Sequence, residues 1–101
     1  MADTKVPESL EDLRQAILAI DAELVALLNR RAALSLAVGD VKRASGQSIY
    51  RPAREAALIK QLEAINSGPL PNEHLRAVYR EILSSSRSLQ HPQGEATDSP
   101  E

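Results

Sequence analysis

The stretch SLEDLRQAILAIDAELVALLNRRAALSLAVGDVKRA, residues 9–44, decides the fold. Read from Leu10 in steps of three and four, it places Leu10, Leu13, Ile17, Ile20, Leu24, Leu27, Arg31, Leu34, Val38 and Val41 on one seam. That is the a/d spacing of a heptad, and it predicts one long helix whose apolar stripe is broken by a single cation. No proline interrupts the run, and Ser9 followed by Asp12 reads as an S-x-x-D start. A helix of roughly 35 residues is about 50 Å long, whereas a compact chain of this size has a radius of gyration of about 13 Å. A lone copy cannot cover such a helix, so the stripe asks for a second chain. Gly39 lies inside it at a cost of about 1 kcal/mol relative to alanine. Either another backbone or a ligand comes close there, or the cost is simply tolerated.

The rest of the chain is read against that helix. With 101 residues and 43% apolar content there is material for one domain and one core. Tyr50 and Tyr79 are the only aromatics, so the core must be Leu, Ile, Val and Ala, a composition of packed helices rather than of a β-sandwich. A net charge of −2 offers no basic footprint for nucleic acid. The absence of cysteine excludes disulfides, thiolate nucleophiles and Cys-ligated zinc. No apolar run approaches the roughly 20 residues that span a bilayer. Residues 1–8 are polar, carry no apolar h-region and read as a flexible leader. The expected location is the cytoplasm.

After Ala44 the run Ser45-Gly46-Gln47-Ser48 ends the first helix. Ile49-Tyr50-Arg51 is an extended link, because the residue before Pro52 is pushed out of the α region. Pro52 suits the first position of a second helix, with Glu55 in its first turn and Ala56, Leu58, Ile59, Leu62 and Ile65 on its inner side. Asn66-Ser67-Gly68-Pro69 stops it, with Gly68 expected as the left-handed C′ residue. Asn72 is expected to cap a third helix reaching Gln90, with a stripe of Leu75, Val78, Tyr79, Ile82, Ser85, Ser86 and Leu89. Residues 92–101 are acidic, contain Pro, Gly and Ser, and read as a disordered tail or truncated linker. The expected architecture is all-α, with one long and two shorter helices per chain assembling as a homodimer.

Function is sought where the pattern breaks. Arg31 sits on the seam, where a guanidinium needs an anionic partner or else serves as a register device. Lys42 is eleven residues on, about three turns plus 20°, so the two cations share one helix face about 16 Å apart. Ser86 and Gln90 share a face of the third helix, and Arg51, Arg54 and Glu55 cluster at the start of the second. Capping, salt bridging and back-bonding to a helix carbonyl account for these groups as well as a site does. Arg14 is about 25 Å before Arg31 and cannot share its ligand within one subunit, but an antiparallel copy of the helix could bring it to the Arg31–Lys42 face. His74 and His91 lack partners suited to metal or Ser/His chemistry, and no phosphate loop follows a strand. What is present suits binding of a small di-anion and stabilisation of developing negative charge, without proton transfer or covalent bonding.

The chain resembles the all-α chorismate mutases, above all the mutase domain that opens the bifunctional chorismate mutase/prephenate dehydratases of phenylalanine biosynthesis. The resemblance rests on Leu13-Arg14 with Ile20-Asp21, Leu27 to Arg31, Val38 to Lys42, Ile49 to Ala56, Asn66 to Leu70, and Tyr79 to Ile82 leading to Ser86 and Gln90. It covers residues 9–91, which it marks as the mutase domain. It implies an intertwined homodimer that rearranges chorismate to prephenate without cofactor or metal. It further implies that Arg14, supplied by the partner chain, grips the substrate carboxylates with Arg31 and Arg54. Lys42 and Gln90 would donate to the ether oxygen, Glu55 would hold the ring hydroxyl, and Ser86 would bind near a carboxylate. Arg51 stands where some members carry a substrate-contacting aspartate, so the division of work between Arg51 and Arg54 stays open. So does a prephenate dehydratase domain C-terminal to this chain in the full-length protein. An isochorismate-pyruvate lyase of the same fold and a non-enzymatic helical dimerisation module are the competing readings.

Overall fold

The computed structural model describes residues 9–91 and contains α1 (Leu10–Ser45), α2 (Pro52–Ile65) and α3 (Asn72–Gln90). No strand occurs among the described residues, as the all-α reading expects. The leader expected at 1–8 and the tail expected at 92–101 lie outside them. The described residues fall into two compact units, one ending at Arg31 and the other beginning at Ala32, and α1 contributes to both.

In the first unit the helix start follows the S-x-x-D reading: the Asp12 N–H donates to Ser9 Oγ at 3.0 Å, which satisfies one of the orphan donors of the first turn. Glu11 and Asp12 place negative charge at the positive end of the helix dipole. The seam residues Leu10, Leu13, Ile17, Ile20, Leu24 and Leu27 are between 47% and 61% exposed. Side chains spaced for an interior are thus left uncovered by their own chain.

In the second unit α1 ends at Gly46, whose φ of +75° suits a residue without Cβ. The Gln47 N–H closes back on Lys42 O at 2.9 Å, the six-to-one bond of a Schellman ending. Pro52 opens α2 as expected, with Arg51 extended before it. The turn between α2 and α3 departs from expectation. Gly68 is left-handed, but it lies two residues beyond the C-cap Asn66 rather than at C′. Asn72 is the first residue of α3 rather than its cap, because Pro71 holds that position. The Asn72 side chain accepts from Asn66 Nδ2 at 2.7 Å instead. Asn66 organises the whole turn, since its amide also donates to Leu70 O at 2.9 Å and accepts from the Gly68 N–H at 3.1 Å.

α2 packs on α3 through half-buried Leu58, Ile59 and Leu62 on one side and Leu75, Tyr79 and Ile82 on the other. Ile65 and Val78, assigned to the inner stripes, are 77% and 52% exposed. Among the described residues no hydrophobic side chain is fully buried; the buried positions are Ser35, Gly39, Ser86 and Gln90. The best-covered point among the described residues is therefore polar, and it lies where the C-terminal part of α1 meets the end of α3.

Candidate active site

The polar cluster exists because a glycine lets two backbones meet. A Cβ on Gly39 would stand 2.6 Å from Gln90 O and 2.7 Å from Gln90 Cα, closer than real atoms approach. Of the options open for this mid-helix glycine, the close backbone approach is the one realised. With α3 drawn in this far, Ser35 on α1 reaches Ser86 on α3, and their hydroxyls share a hydrogen bond of 2.6 Å. About two turns further along α1, Lys42 Nζ donates to Gln90 Oε1 at 3.1 Å and to Ile49 O at 3.3 Å. Gln90 Nε2 in turn donates to Ser86 Oγ at 3.3 Å.

This network has one sense. Lysine is donor only, so the Gln90 oxygen must face it and the Gln90 nitrogen must face Ser86. Two of the three ammonium N–H groups of Lys42 are engaged within the described residues, and so is one of the two on Gln90 Nε2. One N–H of Lys42 and one of Gln90 thus take no part in these bonds among the described residues. Arg43 holds the other side of Gln90 by donating to its backbone O while paired with Asp40. Among the described residues no buried side-chain N or O lacks a partner, so the donors are set before any ligand arrives.

The other sequence-predicted residues are placed as follows. Glu55, in the first turn of α2, is half-buried and accepts from Arg87 Nη1 through both oxygens at 2.7 Å each. Arg87 follows Ser86 in α3, so it leaves the helix about 100° round from the Lys42 cluster, toward α2. Arg54 is exposed on the first turn of α2, and Arg51 lines a shallow depression with Gln47 and Ser48. Arg14 is exposed and Arg31 half-buried, both in the first unit. Lys42, Ser86 and Gln90 are thus joined directly, and Glu55 is held on the adjoining face of α3.

Ser35, Arg43 and Arg87 were not among the site residues expected from the sequence. For Arg87 a signal was present: Arg76, Arg80, Leu83 and Arg87 recur at helical spacing on α3, opposite Glu63 and Glu55 of α2. For Ser35 it was its place between Arg31 and Lys42 on α1. Among the described residues no three His, Asp or Glu side chains cluster as a metal would require, and no helix is long and apolar enough to cross a membrane.

A family profile described as chorismate mutase type II matches residues 13–91. The bifunctional chorismate mutase/prephenate dehydratase of Neisseria gonorrhoeae is 38% identical over 87 residues, covering 86% of this chain and 24% of that protein. The T-protein of Haemophilus influenzae is 40% identical over 83 residues, covering 77% and 22%. The chain spans about a quarter of the length of the curated relatives it matches. Among solved structures, a chorismate mutase from Thermus thermophilus superposes with a TM-score of 0.81 at 31% identity, covering 85% of this chain and 98% of that one.

Proposed function

The chain belongs to the chorismate mutase type II family, and from that premise we propose that it rearranges chorismate to prephenate in a site completed by a second copy of itself. The observation that carries this reading is the Lys42–Gln90–Ser86 network, a lysine and an amide joined by a hydrogen bond beside a serine hydroxyl. In the (3,3) rearrangement a C–O bond breaks as a C–C bond forms, and no atom or proton is gained or lost. The work left to a protein is to hold the folded conformer and to stabilise the charge that grows on the ether oxygen. Lys42 and Gln90 donate to that oxygen in this reading, and their mutual hydrogen bond supports it by holding the two side chains together. Glu55 receives the ring hydroxyl, Ser86 binds near a carboxylate, and Arg31 and Arg54 take the substrate's negative charges, with the part of Arg51 left open.

A second copy enters for two reasons. The seam of α1 is exposed along its length, Leu34 at 68% and Val41 at 64% among others, and roughly 25 cal/mol is gained per Å² of such surface removed from water. Two copies also bring Arg14 of one chain to the site of the other in an isologous dimer, so each site draws on both. No cofactor or metal has a part in this chemistry. Cytoplasmic location follows from the biosynthetic role, and in a full-length protein of the bifunctional kind a prephenate dehydratase would take the product.

The test is the loss of chorismate absorbance with purified protein, alongside thermal melting with a bicyclic ether dicarboxylate shaped like the transition state. Chorismate consumption and a saturable rise in Tm are expected. Untouched chorismate with an unmoved Tm would contradict the proposal. Release of salicylate and pyruvate from isochorismate would move the assignment to a lyase.

A further inference from the structure

We propose that Arg87 is a positioning residue for this reaction, holding the Glu55 carboxylate ready for the substrate's hydroxyl; the inference rests on the mutase reading. Arg87 Nη1 donates to both Glu55 oxygens at 2.7 Å, and the two side chains are only 32% and 23% exposed. The guanidinium is itself fixed from behind, with its carbon 4.9 Å from the centre of the Tyr50 ring, a cation–π contact that grows stronger as water is excluded. Tyr50, Glu55 and Arg87 stand together in the wall of an open groove of about 370 Å³ between α2 and α3, with Pro52, Ala56 and Arg80 beside them. The pair is thus a clamped, half-dried unit.

Two physical consequences tie this unit to turnover. A glutamate must immobilise three side-chain torsions before it can orient a hydroxyl, and Arg87 does this before the substrate binds. A carboxylate uses about four lone-pair sites; Arg87 occupies one on each oxygen, which leaves the remainder for the ring hydroxyl. Glu55 is also a negative group facing a doubly negative substrate. Arg87 offsets that charge, so without it Glu55 repels the ligand it should orient. Arg87 therefore acts through Glu55, and once the carboxylate is gone it has nothing left to position.

A double-mutant cycle measures this directly, using chorismate kcat and KM with Tm as the control. Arg87→Leu in the natural background should lower kcat/KM by roughly 10- to 100-fold, the size of a lost hydrogen bond to a charged group. Both a fall in kcat and a rise in KM are expected. In the Glu55→Gln background the same change should be nearly silent. Arg87→Lys keeps the charge without the planar fork and should restore part of the loss; it serves as the reporter if Arg87→Leu does not fold. Equal fold losses in both backgrounds, or Arg87→Leu and Arg87→Lys variants as active as the natural protein, would overturn the inference while leaving the mutase reading intact. A natural protein that leaves chorismate untouched would overturn both.

Discussion

Lys42→Ala is expected to reduce chorismate turnover by roughly 100- to 1,000-fold, the usual penalty for losing one preorganised donor to a developing oxyanion. The loss should fall mainly on kcat, because the ether oxygen carries its extra charge only as its bond to carbon breaks. Lys42 also donates to Gln90 Oε1 and Ile49 O, so its removal loosens Gln90 as well. That second effect belongs to the same oxygen-binding pair and deepens the loss. Helicity by circular dichroism and the mass in solution should stay those of the natural protein, since Lys42 takes no part in the apolar seam. Lys42→Ala turning over chorismate at the natural rate would remove the electrostatic account of the site.

Gly39→Ala has the second large effect, and it acts on stability and activity together. In an open helix this change would gain about 1 kcal/mol. Here the new Cβ would meet the Gln90 backbone at 2.6 and 2.7 Å. A backbone cannot rotate out of the way as a side chain can, so α3 must move off. Overpacking of this kind costs about 1–3 kcal/mol; less the helical gain, the net loss reaches about 2 kcal/mol, which lowers Tm by up to roughly 15 °C in a chain of this size. Activity should fall further than stability does. The displaced residue is Gln90 itself, and misplacement by about 1 Å can cost around 100-fold. Melting curves and initial rates on the same preparation measure both, and a variant with unchanged Tm and rate would show that the two backbones are not held together.

The helices were legible in the sequence because each signal is local. The heptad spacing, the Ser9 start, the break at Ser45 to Ser48 and Pro52 at the head of α2 all act within one or two turns, and all appear in the structure. The Asn66 turn was misread because Pro71 takes the N-cap position expected of Asn72, whose side chain accepts from Asn66 instead. Lys42, Ser86 and Gln90 could be singled out as polar residues on helix faces. Their bonds to one another could not, since they depend on how near α3 approaches α1, and that distance is set by the missing side chain of Gly39. The partnership of Glu55 and Arg87, 32 residues apart, depends likewise on how α2 lies on α3. Sequence periodicity says which face a residue occupies and is silent on which residue of another helix it meets.

The central claim is that each site is shared by two copies of the chain, and subunit complementation tests it most directly. Arg14→Ala and Lys42→Ala should each be nearly inactive alone. Unfolded together in equal amounts and refolded, they should recover about a quarter of natural activity, because mixed dimers of an isologous assembly contain one site with both residues intact. A refolded mixture no more active than its parents, with mixed dimers shown to be present, would contradict the account.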